Sequence, residues 1–112
     1  MATTNVFTSY LNKDVGTSAA TVVTVASATQ TTVIGLSFAN TSASPITASA
    51  YITRSGTDYY LIKAATVPVG SSLVVVGGDQ NDVLTVGDAL KVVTSAAASA
   101  DVATSVLNIV TS

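Results

Sequence analysis

Apolar and polar residues alternate with a period of two through most of this chain. Ile34, Leu36 and Phe38 alternate with Val33, Gly35, Ser37 and Ala39. Ile46, Ala48, Ala50 and Ile52 alternate with Thr47, Ser49, Tyr51 and Thr53, and Val23 and Val25 flank Thr24. A strand sends successive side chains to opposite faces, so this period gives each strand one apolar face. The abundance of β-branched residues suits the same pleated surface. Turn-forming stretches interrupt the runs: "NKDVG" at 12–16, "NTSASP" at 40–45, "RSGTD" at 54–58, "PVG" at 68–70, "GGDQND" at 77–82 and "VGD" at 86–88. The pattern predicts strands over 4–11, 21–26, 31–40, 46–54, 58–63, 72–77, 82–86, 89–95 and 103–110. In "AYITRSGTDYYLIK", Ser55-Gly56-Thr57 turns the chain between two β-rich stretches, the clearest hairpin signal. The alanine-rich stretch at 96–101 reads as a loop, because six residues cannot sustain a helix alone. The fold class is therefore all-β: a single β-sandwich, immunoglobulin-like or related, of about seven to nine short, mostly antiparallel strands. Residues 1–20 are less regular, either a first strand followed by a loop or an arm reaching a neighbour. With residues 21–112 as the sandwich, the chain makes one domain overall.

The phrase "DVLTVGDALKVVTS" at 82–95 carries two short apolar runs around Gly87-Asp88. It reads as strand, turn, strand. Leu84 and Val86 share one face, as do Leu90 and Val92. Gly87 supplies a positive φ, and the Asp88 carboxylate accepts a backbone N–H. On this reading Asp88 is a solvated turn residue, contributing on the order of 1 kcal/mol.

Composition sharpens the picture. Charged residues make up 9% of the 112, against an ordinary figure of roughly 25%, and the formal net charge is -2. There is no glutamate; polarity comes from 18 threonines and 14 serines. Such a surface is neutral and hydroxyl-rich, and it meets neighbours with few ions to desolvate. No basic cluster invites nucleic acid. No apolar run approaches the roughly 18 residues of a membrane span, and the first ten residues do not read as a signal peptide.

Candidate chemistry is sparse. The chain has no histidine and no cysteine, which removes imidazole and thiolate ligands, nucleophile triads and disulfides. The six aspartates fall mostly at predicted turns. "GGDQND" offers oxygen donors in Asp79, Asn81 and Asp82, but it lacks the donor order of a calcium loop and reads as a connection. We therefore expect no catalytic residue, no cofactor and no metal. Aromatic residues suggest contact surfaces instead. Tyr59 and Tyr60 are adjacent on one strand and point to opposite faces, one into the core and one outward beside Arg54. Tyrosine and arginine are enriched at interface hot spots. The expected interface residues are Phe7, Tyr10 and Leu11 in the N-terminal segment, with Arg54, Tyr59 and Tyr60.

Taken together, "IGLSFANTSASPITASAYI", "YYLIK", "PVGSSLVVVGG" and the later L-T-V-G-D-A-L-K-V resemble small structural proteins encoded in tailed-bacteriophage genomes, over roughly residues 31–110. The resemblance implies a virion component with a sandwich fold and no catalytic residues. It makes the leading expectation a capsid decoration (cement) protein on the phage head. Its partners would be the major capsid protein or other virion proteins, in a homo-oligomer or multi-copy array. A tail, neck, baseplate or fibre-associated module is the alternative, and a secreted carbohydrate or adhesion module stands further off.

Overall fold

The computed structural model describes residues 3–76 and 82–111. Its strands are β1 (Thr3–Val15), β2 (Ala20–Thr24), β3 (Thr29–Asn40), β4 (Ile46–Arg54), β5 (Thr57–Val67), β6 (Ser72–Val76), β7 (Asp82–Leu84), β8 (Ala89–Thr94) and β9 (Ala100–Thr111). Most of the "GGDQND" stretch, residues 77–81, lies outside the described residues.

Every pairing is antiparallel, and the pairs are nested. β4 pairs β5, β3 pairs β6 and β7, β2 pairs β8, and β1 pairs β9. The chain is thus one long ribbon with its tip at Ser55-Gly56. Both tip residues have positive φ, 53° and 78°, as a two-residue hairpin turn needs if its twist is to match the flanking strands. Rolling the ribbon brings β9 beside β3 and β8 beside β4. The first sheet then runs β1-β9-β3-β6, with β7 beside β3 in line with β6, and the second runs β2-β8-β4-β5. This order is a jelly roll, the sandwich relative that two Greek keys produce, rather than an immunoglobulin arrangement. It also changes the reading of Gly87-Asp88. The turn does not join neighbouring strands; it carries the chain from β7 in the first sheet to β8 in the second.

The core lies between the sheets. Phe38, Leu36, Leu84 and Leu90 are fully buried with Val33, Val67, Val76, Val92, Val102 and Val106. Each such side chain contributes about 1.5–3 kcal/mol by leaving water. Two bulges reset the alternation. Between Val33 and Gly35, β3 carries one residue more than β9, so the phase slips by one. Val33, Leu36 and Phe38 reach the core, while Ile34, expected in phase with Leu36, turns outward and stays half-exposed. A second bulge in β2, between Thr21 and Val23, leaves Val22 and Val23 both buried. Val86, expected to share a core face with Leu84, is exposed because β7 ends at Leu84 and Val86 enters the turn.

The N-terminal segment takes the strand form of the two expected, with Thr3–Asn12 paired residue for residue to β9. The chain then leaves β1 through Val15 and Gly16 beneath the 95–99 loop. Gly16 O accepts from Thr94 N–H at 2.9 Å, and a Cβ on Gly16 would meet Ala98 N at 3.0 Å and Ala97 Cα at 3.1 Å. Those atoms are backbone and yield little. Gly16→Ala should lower stability by about 1–3 kcal/mol in denaturant titration, with the β-rich circular dichroism of the folded state retained.

Candidate assembly surface

The outer face of the first sheet is built by cross-strand registry. Phe7 lies opposite Leu107, Leu107 opposite Thr32, and Thr32 opposite Val83. Four residues along, Leu11, Ala103, Ser37 and Val74 form a parallel row. Between the two rows lie Ser9, Ser105 and Gly35, with the bulged Ile34 turned outward beside them. Phe7 is 74% exposed and Leu11 78%, and Val74 and Val83 are also exposed. The face is therefore corrugated. One hollow is lined by Phe7, Ser9, Ile34 and Ser105, and a second by Leu11, Ser37, Ala39 and Ala103. Its charges sit at one end, where Lys13 Nζ approaches Asp101 Oδ2 at 3.6 Å and Asp14 N–H donates to Asp101 Oδ1 at 3.1 Å.

Of the residues expected at an interface, Phe7 and Leu11 thus share one surface. Tyr10, between them in sequence, has the opposite parity; it turns inward against the core near Val23 and Val25. The expectation that one of Tyr59 and Tyr60 is a core residue fails. They are 57% and 46% exposed, because the β4–β5 hairpin has little cover at its tip, and the buried tyrosine is Tyr51. Tyr60 packs on Tyr51 with ring centroids 5.0 Å apart, and Lys63 Nζ stands 4.9 Å from its ring centre. The ring beside Arg54 is that of Tyr59, with Ile52.

Arg54 is occupied rather than free. Its Nε donates to Asp88 Oδ1 at 2.8 Å and its Nη2 to Oδ2 at 2.6 Å. The Thr85 N–H donates to Oδ2 at 2.8 Å. Asp88 is not a solvated turn residue: its side chain is 1% exposed. The Arg54 hydrogen bonds, helped by Thr85, hold its carboxyl down at about 2 against the cost of burial. Gly87, at φ 88°, donates its N–H to Val25 O at 3.1 Å, and Val25 N–H donates to Asp88 O at 2.9 Å. The carboxylate so ties the end of β4 to the crossing between sheets, and the backbone bonds tie the end of β2 to the same place. This is a structural clasp. No group of three or more metal-ligating acidic side chains occurs among the described residues, and no described helix is long and apolar enough to cross a membrane.

Sequence reasoning missed the outer-face residues Leu107, Ile109, Val74 and Val83. A signal existed: "LVVV" and "VLNIV" are apolar at both parities, which a strand with one solvated face does not require.

No protein-family model and no curated protein matches the chain. A chain of the solved structure described as "Bacillus endospore appendages form a novel family of disulfide-linked pili" superposes with a TM-score of 0.58. The match covers 100% of this chain and 93% of that one, at 16% identity. The likeness is one of fold. The disulfide linkage named for those pili has no counterpart residue here, since this chain has no cysteine.

The clasp makes a definite stability statement. Asp88→Ala should cost about 2–3 kcal/mol, more than a solvated turn carboxylate would, because a buried carboxylate accepting from Arg54 twice and from the Thr85 N–H is lost. Its depressed pKa gives stability that is complete above the unfolded carboxyl value near 4 and is lost as pH falls toward 2. The gap between wild type and Asp88→Ala should therefore shrink by about 1–2 kcal/mol between pH 7 and pH 2, allowing for solvent around the half-exposed guanidinium. Gly87→Val should cost about 1–3 kcal/mol at every pH, from backbone strain alone, since space around its Cβ is open.

Proposed function

We propose that this protein is a small, non-catalytic structural subunit of a phage virion, bound in many copies as a decoration protein on the capsid shell. The observation that supports this reading best is the outer face of the first sheet. It is a broad, uncharged surface with Phe7 and Leu11 standing into solvent, on a chain that otherwise carries few charges. Large apolar side chains exposed together on one uncharged sheet face mark a protein contact. Seated across neighbouring subunits of the major capsid protein, such a face would oppose their separation by burying apolar area at each site. An ordered shell would multiply a modest affinity through simultaneous contacts. Arg54 and Asp88 take no part beyond holding the sandwich closed, while Tyr59 and Tyr60 supply a smaller second contact at the hairpin tip.

A second reading, a subunit of a filament or tail fibre, is favoured by the fold neighbour, whose description is of pili. The two differ in stoichiometry. Quantitative mass spectrometry of purified virions should find the protein at hundreds of copies per particle. A dozen copies or fewer would move it to the tail, neck or baseplate. Purified protein should also saturate particles made without it, and Phe7→Ser with Leu11→Ser should weaken that binding at least about tenfold, since each removes a large exposed apolar side chain.

A further inference from the structure

We infer that the free edge of β1 pairs, antiparallel, with the β1 edge of a second copy, about a two-fold axis normal to the sheet at Ser9. The inference goes beyond the structural-subunit reading. It concerns a sheet edge, and it leaves the outer face of the first sheet open to the shell.

The first observation is which edges are guarded. An edge strand offers a row of unpaired N–H and C=O groups, and proteins blunt it with charges, proline, bulges or shortness. Here the sheets end at β1, β2 and β5, and at β6 with β7 in line. β2, β6 and β7 have five residues or fewer. β5 is long, but it carries Asp58 and Lys63, its pairing with β4 shifts register beside Ala50, and Ala64 sits at φ 54°. β1 has such devices only at its far end, in Lys13 and in Asp14 at φ 54°, where its register with β9 shifts. From Thr3 to Asn12 it has no charge, no proline, no glycine and no bulge. Among the described residues no strand lies beyond it.

The second observation selects the occupant. Phe7 and Leu11 stand on one face of β1, 74% and 78% exposed, and each is two residues from Ser9. A two-fold axis at Ser9 therefore sets Phe7 opposite Leu11 of the second copy, and Leu11 opposite its Phe7. On the other face Thr8 comes opposite Tyr10, and Val6 opposite Asn12. Directly opposed side chains have Cβ atoms about 4.5–5.5 Å apart, so two apolar cross-strand pairs flank the axis. Moving the axis to Thr8 puts Phe7 opposite Ser9 and Leu11 opposite Asn5. Moving it to Tyr10 puts Leu11 opposite Ser9 and Phe7 opposite Lys13. Either shift loses both apolar pairs, so the side chains fix the register while the main chain supplies the hydrogen bonds.

The third is charge and closure. The paired stretch, Val6–Asn12, holds no ionisable group but the Tyr10 phenol, and Lys13 beyond it lies 3.6 Å from Asp101. Each chain has one β1, so the contact is the same patch on both copies and closes at two. The two first sheets become one continuous sheet. Its outer face gathers Phe7 and Leu11 of both copies around the axis and doubles the surface that a single subunit offers.

Because the chain has no cysteine, one introduced thiol reports the axis. Ser9 is exposed, and in the dimer its two copies lie opposite each other with Cα atoms about 4.5–5.5 Å apart, within reach of a disulfide. Ser105 is also exposed and pairs with Ser9 from one strand further in, so its two copies stand three strand spacings apart, roughly 14 Å, which no disulfide spans. Under mild oxidation Ser9→Cys should form a covalent dimer at least tenfold faster than Ser105→Cys. In sedimentation equilibrium the wild-type protein should be a dimer that dissociates on dilution. Ser9→Lys sets two ammonium groups against each other and should associate at least tenfold more weakly, whereas Ser105→Lys should associate like wild type. Both lysine variants should melt within a few degrees of wild type, and the thiol pair decides the matter without them if one fails to fold. A wild-type protein that stays monomeric up to about 0.5 mM overturns the proposal. So does Ser9→Cys linking no faster than Ser105→Cys, or a dimer that Ser105→Lys breaks and Ser9→Lys does not, which would place the contact on the face. A monomer that still coats particles in hundreds of copies would remove the dimer and leave the subunit reading standing. A dimer linked through Ser9→Cys, from a protein absent from virions, would keep the dimer and remove the subunit reading.

Discussion

One buried carboxylate holds the two sheets together at an end of the sandwich. Asp88 sits where the chain passes from the first sheet to the second, and its oxygens reach Arg54 at the end of β4 and Thr85 just before the turn. Backbone bonds from Gly87 and Val25 fasten the end of β2 to the same point. The opposite end is closed by hydroxyls. Thr94 Oγ1 and Ser99 Oγ lie 2.7 Å apart, and both bond Ala96 O, beside Val15 and Gly16. Between these polar closures the interior needs only small apolar side chains, and valine and alanine supply most of it. A core of small residues gains less per side chain than one of leucine and phenylalanine. The satisfied closures therefore matter more here than they would in a larger domain.

The same arrangement explains why the first sheet has an unspent face. Its inner side is committed to the core through Val33, Phe38, Val102 and Val106. Its outer side then takes whatever residues the opposite parity holds, and these are apolar or small rather than charged. A free-standing domain would ordinarily place lysine and glutamate there as protection against association. Their absence agrees with a molecule whose outer face meets protein.

Much of the strand placement was legible in the chain, though not the order of the strands in the sheets. Period-two alternation located nine strands near their observed places, and Ser55-Gly56 and Gly87 turned with positive φ. What sequence reading lost was long-range. The bulge at Ile34 depends on β9 lying alongside with one residue fewer; Gly35 beside it is a local sign of a bulge, but it does not say which residue turns outward. The burial of Asp88 depends on Arg54, thirty-four positions earlier, arriving beside it. Tyr10 has the parity opposite to Phe7 and Leu11, so it turns inward where they stand outward, and which parity faces the core follows from β1 pairing with β9. Local composition set the elements; pairing partners decided which side each residue faced.

The nesting of the ribbon also fixes when the molecule can fold. β9 lies in the middle of the first sheet, yet it is made after β1 and β3, the strands it separates. Asn12 finds its partner in Val102, ninety positions later. Contacts so distant in sequence close slowly, on the millisecond-to-second scale typical of β-sandwiches. During synthesis, β1 and β3 therefore emerge with unpaired edges and wait for a strand still inside the ribosome. A nascent chain in that condition exposes strand edges to other copies. Its low charge gives it little repulsion with which to keep them apart, so slow translation or crowded expression should favour aggregates built from incomplete chains while the finished protein remains sound.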